Sequence, residues 1–494
     1  MALTIGIDIG TSSTKAVVSD ASGKILFAGG PTYDFETPKP LWAENDPKRW
    51  WDATLECLRL IAEKIDVSEV VGIGLTGQMH GLVLLDANGS VLRPAIQWND
   101  QRTAAQCAEL TEKVGFEQVI QITGNPILTG FTAPKILWVQ QHEPEIWAKV
   151  SKILLPKDYI RFMLGGVFAT DVSDASGMSL LDVGARDWST VMLEACGVKP
   201  EMMAEVYESP EVTCTLKDEL AERYGFPKGI PIVAGAGDQA AGAVGSGVVT
   251  KGAVACSLGT SGVVFAQAEA FEPEPQGRLH AFCAAVPGTW HYMGVQLSCA
   301  GSYQWFFDNL AFGATFKDLD VEAREIPAGS EGLFFLPYLT GERMPHPDPQ
   351  ARGAFIGLTL RHGRGHMARA VLEGVTLGLR QGLDMMKDLG IETRKVIVSG
   401  GGAKSPLWKQ ILADVFQSRI VTVNAAEGGA FGSAILAMVG AGVYPSVEAA
   451  CSAVIEETGS LEPDHDTAAK YNATLEVYQK LYPALQPIFP TIME

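Results

Sequence analysis

GIDIGTSSTKAVV, residues 6–18, is echoed by ACSLGTSGVVF, residues 255–265. Each phrase reads as a β-branched strand, a Gly-Thr-Ser turn and a second strand, and the two lie about half a chain apart. Three letters of turn are common by themselves. Two copies in equivalent strand-turn-strand contexts predict a duplicated domain, with a nucleotide held in the cleft between the copies. A glycine lets the backbone turn tightly against a phosphate, while hydroxyls and amides donate to its oxygens. Gly10, Thr11, Ser12, Ser13 and Lys15 therefore form one candidate phosphate loop, and Gly259 with Thr260 the other. Asp8, ending the first strand, is a candidate magnesium ligand, directly or through water.

Outward from these hairpins, short apolar runs alternate with longer amphipathic segments such as WWDATLECLRLIAEKI (50–65). That alternation predicts an α/β fold, and the early hairpin strands predict mixed rather than all-parallel sheets. With 494 residues and a 47% apolar share the chain exceeds one core, so two domains are expected, 1–245 and 246–494. The boundary falls near Ser246, at the end of the glycine-rich stretch GAGDQAAGAVGSG (235–247). Fifty-three glycines, about 11% against roughly 7% in average proteins, point to many tight loops.

A net charge of -19 argues against nucleic acid or an anionic membrane as partner, since both need a basic surface. A small neutral sugar meets no such barrier. The eight cysteines contain no CxxC pair and read as buried thiols of a cytoplasmic protein. The apolar run 428–445 is rich in glycine and alanine and ends at proline, so it reads as a buried helix and turn.

Several familiar motifs fail on context. The one Gly-Lys pair, Gly23 and Lys24, is followed by isoleucine, so there is no Walker loop. Gly72, Gly74 and Gly77 spell GxGxxG, but QMHGLVLLD follows where a dinucleotide fold needs a helix. His362 and His366 have helical metal-ligand spacing, yet glycines at 363 and 365 argue for loop histidines.

The remaining constellations suit phosphoryl transfer to a sugar. Asp238 sits among small residues just before the second hairpin, where a carboxylate in a dry cleft can accept a hydroxyl proton, cap the helix that follows, or both. Gln78, Met79 and His80, followed by Trp98 in AIQWND, offer hydrogen-bonding groups and an aromatic face for a sugar. SGGGAKS (399–405) opens a helix with three glycines, against which a nucleotide can lie on bare backbone.

With these residues in view, the chain resembles the FGGY family of carbohydrate kinases nearly end to end. The resemblance rests on GFTAPKILWVQQH (130–142) and GAFIGLTLRHGRGHMARAVLEG (353–374). LWAENDP, LLPKDYIRFML, SDASG and PYLTGERMPH resemble members acting on xylulose rather than glycerol. It implies two actin-like, ribonuclease H-like domains with Mg-ATP between them, and ATP-dependent phosphorylation of D-xylulose to D-xylulose 5-phosphate. Asp238 would be the general base, with Met79 and His80 lining the ketose. Asp8 and the 10–13 loop would face phosphate and Mg2+, Gly259 and Thr260 the terminal phosphates, and Gly401 and Gly402 the adenosine; Ser405, closing the SGGGAKS phrase, is a nucleotide candidate from that motif. Gly301 and Gln304 align with a more variable nucleotide-contacting stretch. Gln239 stands beside the base where some relatives carry asparagine, which leaves the choice between xylulose and ribulose open. The alternatives are a kinase for ribulose, erythrulose or glycerol, and a non-catalytic actin-like ATPase. A homodimer is among the expected assemblies.

Overall fold

Two seven-stranded mixed sheets, one in each half of the chain, repeat a single strand order. The computed structural model describes residues 2–424 and 427–492. In the first sheet the order is Val212–Thr215, Pro231–Val233, Val70–Gly77, Leu3–Ile9, Thr14–Asp20, Ile25–Gly29, with Ala236–Gly237 also pairing Val70–Gly77. In the second it is Glu457–Leu461, Arg419–Val423, Lys395–Ser399, Ala253–Leu258, Gly262–Ala268, Trp290–Gln296, with His280–Cys283 added at the edge. Senses match as well as order. The hairpin strands are antiparallel, the next two joins are parallel, and the far edge is antiparallel in both. The two Gly-Thr-Ser turns occupy equivalent hairpins, Leu3–Ile9 to Thr14–Asp20 and Ala253–Leu258 to Gly262–Ala268.

Local chemistry explains the elements. Helix Pro47–Lys64 starts where Asp46 accepts from the Lys48 amide and Pro47 supplies a preset φ. Its buried stripe, Trp50, Ala53, Thr54, Cys57, Leu58 and Ile61, recurs every three or four residues and packs onto the first sheet. The eight cysteines are all free thiols, six of them buried. No helix among the described residues is long and apolar enough to cross a membrane.

The run from residue 428 forms a helix, Gly428–Gly440, buried along most of its length. Although it belongs to the second half of the sequence, it packs on the first sheet. A Cβ on Gly6 would sit 1.8 Å from the Ala430 carbonyl oxygen, and one on Gly74 1.9 Å from that of Ser433. Gly72 and Gly74 of the GxGxxG phrase thus serve close helix-sheet approach rather than a dinucleotide. The equivalent helix of the first half, Asp238–Gly245, crosses this one so tightly that a Cβ on Gly432 would meet the Ala241 carbonyl oxygen at 1.8 Å. Its Ala243 enters the core of the second sheet beside Phe265, Ile397 and Val421. Each half therefore contributes a helix to the other.

One expectation needs correcting. His366 is not a loop residue but lies in the first turn of the 25-residue helix Arg364–Asp388, its Nδ1 accepting from the Gly363 amide. Gly363 is that helix's N-cap and Gly365 sits in its first turn, where glycine is cheaper than in the interior. His362 precedes the helix and accepts from the Thr359 amide through Nδ1. Among the described residues, no group of three or more His, Cys, Asp or Glu could hold a metal.

Candidate active site

The ends of Leu3–Ile9 and Val70–Gly77 and the start of helix Asp238–Gly245 converge on one site. The Gln78 amide donates to the Ile9 carbonyl, 2.9 Å, extending the parallel pairing past the strand end. The Gly10–Ser13 turn is closed by the Gly10 amide to the Ser13 carbonyl, 2.9 Å, and clamped by Tyr33, whose hydroxyl donates to the Gly10 carbonyl at 2.7 Å. Thr11 joins this loop to the predicted sugar residues. Its hydroxyl donates to Gln78 Oε1 at 3.2 Å and accepts from Trp98 Nε1 at 3.0 Å. Trp98 is 46% exposed, leaving much of its ring free.

His80 is held in an unusual pose. Its φ of +70° lies in the left-handed region, and its carbonyl is fixed by Thr132 Oγ1 at 3.1 Å and Lys135 Nζ at 2.9 Å. The ring stacks on Phe131, centroids 4.4 Å apart, and Nδ1 lies 2.6 Å from the Gly177 carbonyl. Burial, with the charges of Lys135 and Arg343, drives its pKa down to about 3 against the pull of the Gly177 bond. The imidazole is therefore neutral, Nδ1-H donates to Gly177, and Nε2 keeps a lone pair for an incoming hydroxyl. Burial also lowers Lys135 to about 7, opposed by Asp100. Gly177 has no room for a side chain, since its Cβ would lie 2.6 Å from His80 Nδ1.

Met79 is buried and covers Gly237, where a Cβ would come within 3.0 Å of its sulfur. That contact places the next residue, Asp238, beside the Gln78-His80 loop. The sequence reading allowed Asp238 to cap its helix. Instead Gly237 is the N-cap and Asp238 the first helical residue, so its carboxylate is not spent on the helix end. Burial and the neighbouring Asp8 raise its pKa to about 7, opposed by hydrogen bonds from Gln239. Burial likewise raises Asp8 to about 6, only partly offset by Lys15. Two half-buried carboxylates thus share one region without a fixed cation between them. Lys15 pairs with Glu427, which caps helix Gly428–Gly440. A Cβ on Gly429, in the first turn of that helix, would lie 3.6 Å from Asp8 Oδ2. Gln239 is exposed.

The predicted nucleotide residues gather separately in the second half. The Gly259 and Thr260 carbonyls accept from the Ala300 and Gly301 amides at 2.8 and 3.1 Å, joining the second turn to the start of helix Ala300–Leu310. A Cβ on Gly400 would meet the Gly259 nitrogen at 3.1 Å, and one on Gly402 the Leu258 Cβ at 2.8 Å. Beyond these lies a cleft of about 510 Å³ whose lining includes Tyr303, Gln304, Asp320, Gly401, Gly402 and Ser405. Ser405 caps helix Pro406–Phe416 and donates to Asp320 Oδ2 at 2.6 Å; Gln304 donates to Asp308 at 2.8 Å. The structure brings Gly259, Thr260, Gly301, Gly401 and Gly402 into one neighbourhood.

The first half's site also meets the second half through residues the sequence reading did not single out. His280 Nδ1 lies 2.6 Å from Asn125 Oδ1, and the Cys283 amide donates to Ser176 Oγ at 3.1 Å. Phe131 packs between His80 and His280.

A duplicated actin-like scaffold with a carboxylate pair, a neutral histidine and glycine-rich turns defines a phosphotransferase acting on a small hydroxylated acceptor. The chain belongs to the FGGY family of carbohydrate kinases: the family's N-terminal domain matches residues 3–245 and its C-terminal domain residues 254–441. It is 43% identical to the xylulose kinase of Escherichia coli (strain K12), over 98% of this chain and 99% of that one. A crystal structure of a xylulose kinase from Brucella ovis superposes with a TM-score of 0.93 at 39% identity, covering 98% of this chain and all of that one. Gluconate kinase from Lactobacillus acidophilus superposes equally well, TM-score 0.94, covering 99% of each chain, at 27% identity. Shape alone therefore does not select the acceptor.

Proposed function

We propose that this protein transfers the γ-phosphoryl group of ATP to the terminal hydroxyl of D-xylulose, giving D-xylulose 5-phosphate and ADP. The observation that carries the reading is Asp238, a carboxylate with its pKa lifted to about 7, following the Gly237 that Met79 covers and close enough to Asp8 to feel its charge. A base poised near neutrality is matched to deprotonating an alcohol as it attacks. The high identity to xylulose kinases over the full chain supports the choice of acceptor.

In this reading the ketose lies against Trp98 and Met79, with His80 Nε2 accepting a hydrogen bond from one of its hydroxyls. Asp238 accepts the proton of the attacking hydroxyl, the new O-P bond forms in line, and the bond from the γ-phosphorus to the bridging oxygen breaks, releasing ADP. The Gly10–Ser13 and Gly259–Thr260 turns supply amides and hydroxyls to the phosphates, and the 510 Å³ cleft takes the adenosine. Asp8 fits a Mg2+ role: it is half-buried, incompletely compensated, and magnesium takes one or two protein carboxylates with phosphate oxygens and waters completing the shell. When bound, the ion neutralises charge on the transferring group.

The test is ADP release by purified protein with Mg-ATP and a panel of D-xylulose, D-ribulose, L-ribulose, L-xylulose, erythrulose and glycerol, beside Asp238→Ala. Strong preference for D-xylulose that disappears in the variant is the expected result. Equal or better turnover of another acceptor would overturn the substrate assignment.

A further inference from the structure

Beneath Asp238 lies a buried cluster of charges that the reaction as described leaves unused. Lys157 and Arg161, from helix Pro156–Gly165, meet Asp158, Asp171 and Asp174, and all five are fully buried or nearly so. Lys157 Nζ reaches Asp158 Oδ1 at 2.6 Å, Asp171 Oδ1 at 3.0 Å and Asp174 Oδ2 at 3.6 Å. Burial works against its charge, but the three carboxylates hold it on. Such a group of ions is costly to desolvate and returns little stability over an apolar replacement, so its presence calls for another reason.

The hydrogen bonds supply one. Asp171 Oδ2 accepts from the Ser173 amide at 2.8 Å and from the Ser173 hydroxyl at 2.5 Å. The same hydroxyl oxygen accepts from the Gly237 amide at 3.1 Å. Polarity is forced along this line: the Gly237 amide can only donate, so a Ser173 lone pair faces it and the Ser173 proton points to the Asp171 carboxylate that pairs with Lys157. Gly237 is the residue before Asp238 and the N-cap of its helix.

We propose that Lys157, Asp171 and Ser173 form a buried strut that positions Asp238 for catalysis by fixing the Gly237 peptide. This rests on Asp238 being the base. Ser173 is thus a positioning residue, acting on the reaction through the peptide that carries the carboxylate rather than through the sugar. Asp8 from the first strand bears on Asp238, and Asp238 in turn bears on Asp174, in the segment holding Ser173, whose pKa burial and the neighbouring carboxylates raise against the pull of Lys157.

The experiment compares wild type, Ser173→Ala, Ser173→Cys, Asp238→Asn and the double variant Ser173→Ala/Asp238→Asn in steady-state kinetics with D-xylulose and Mg-ATP. The cysteine variant fills nearly the same space but accepts weakly, so it separates loss of the hydrogen bond from loss of volume and decides the matter where the alanine variant does not fold. Ser173→Ala and Ser173→Cys are expected to lower kcat by about 10- to 100-fold, as misplacement of a reacting group does, with KM for both substrates within about threefold. The double variant should be no slower than Asp238→Asn. Unchanged kcat in both folded Ser173 variants, or an equal fractional loss in the Asp238→Asn background, would overturn the strut. Wild-type turnover by Asp238→Asn would instead overturn the base assignment on which the strut depends.

Discussion

The two halves of this molecule share a strand order and a Gly-Thr-Ser hairpin, yet differ at the positions where chemistry is done. Aligned on the hairpins, Asp8 of the first corresponds to Ser257 of the second, and Ile9 to Leu258. The helices after the last parallel strands differ in the same way: one begins with Asp238, the other with Gly428. Both carboxylates thus stand in one half, while the second half keeps bare backbone at Gly259, Gly301 and Gly400–Gly402. A symmetric scaffold has become an asymmetric site, with acid-base groups on the acceptor side and glycine backbone on the nucleotide side. The helix exchange ties the two together: Gly428–Gly440, from the second half of the sequence, brings its first turn to Asp8.

The comparison breaks first at Asp238. Asp238→Asn keeps the side chain's shape and removes its basicity, and kcat should fall by about 10²- to 10⁴-fold, measured by coupled ADP release at saturating substrates. A loss below tenfold would mean that the proton leaves by another route. The hairpins come next. Asp8→Ser makes the first hairpin match the second at this position, and kcat should drop about 100-fold with a raised Mg2+ requirement, as loss of a charge-stabilising group does. Ser257→Ala, at the equivalent place, should change kcat less than about threefold. Similar losses in the two variants would show that the halves share the phosphate chemistry more evenly than their residues suggest.

The helix exchange is tested through stability. Gly74→Ala drives a methyl group against the Ser433 carbonyl at 1.9 Å, a backbone contact that cannot yield easily. It should cost about 1–3 kcal/mol or more by overpacking, read from denaturant midpoints. Gly72→Ala, two residues back on the same strand, meets the Ala437 carbonyl at 3.0 Å and should cost clearly less. If the two cost the same, helix Gly428–Gly440 is not seated on the first sheet as described.

These contrasts also mark what was readable in the sequence. Turn chemistry is local, so the hairpins, the Asp8 strand end and the triple glycine before Pro406–Phe416 could be recognised from short phrases. The duplication followed from their spacing. Residues that act through long-range contact were not recognisable: Gly177 matters because His80 stands 97 positions away in sequence, and Ser173 because Gly237 lies 64 away. One signal was present. LLPKDYIRFML places Lys157, Asp158 and Arg161 within a largely apolar helix, and charges in such a setting need buried partners. The misreading of His366 has the opposite cause, since glycines that break a helix interior are tolerated at its first turn, whereas His362 does precede the helix.

The smallest expected effect concerns the cost of keeping a base ready in the first half. Asp238 has its pKa raised in the folded protein, to about 7 from the ordinary carboxylate value. A raised carboxyl pKa means that the folded state holds the proton more tightly than the unfolded chain does. Its contribution to stability is therefore fully present below about pH 4 and is lost as the pH climbs through 7. Asp238→Asn removes the titrating group while keeping a polar side chain there. The melting temperature of the variant relative to wild type should therefore rise between pH 5 and pH 8, by a few degrees at most for a chain of this size, in scans without ligand at several pH values. His80 and the other buried histidines, whose pKa values are lowered, act oppositely on acidification, but they are common to both proteins and cancel in the difference. A difference flat with pH would place the Asp238 carboxyl at an ordinary pKa and remove the electrostatic reason for reading it as the poised base.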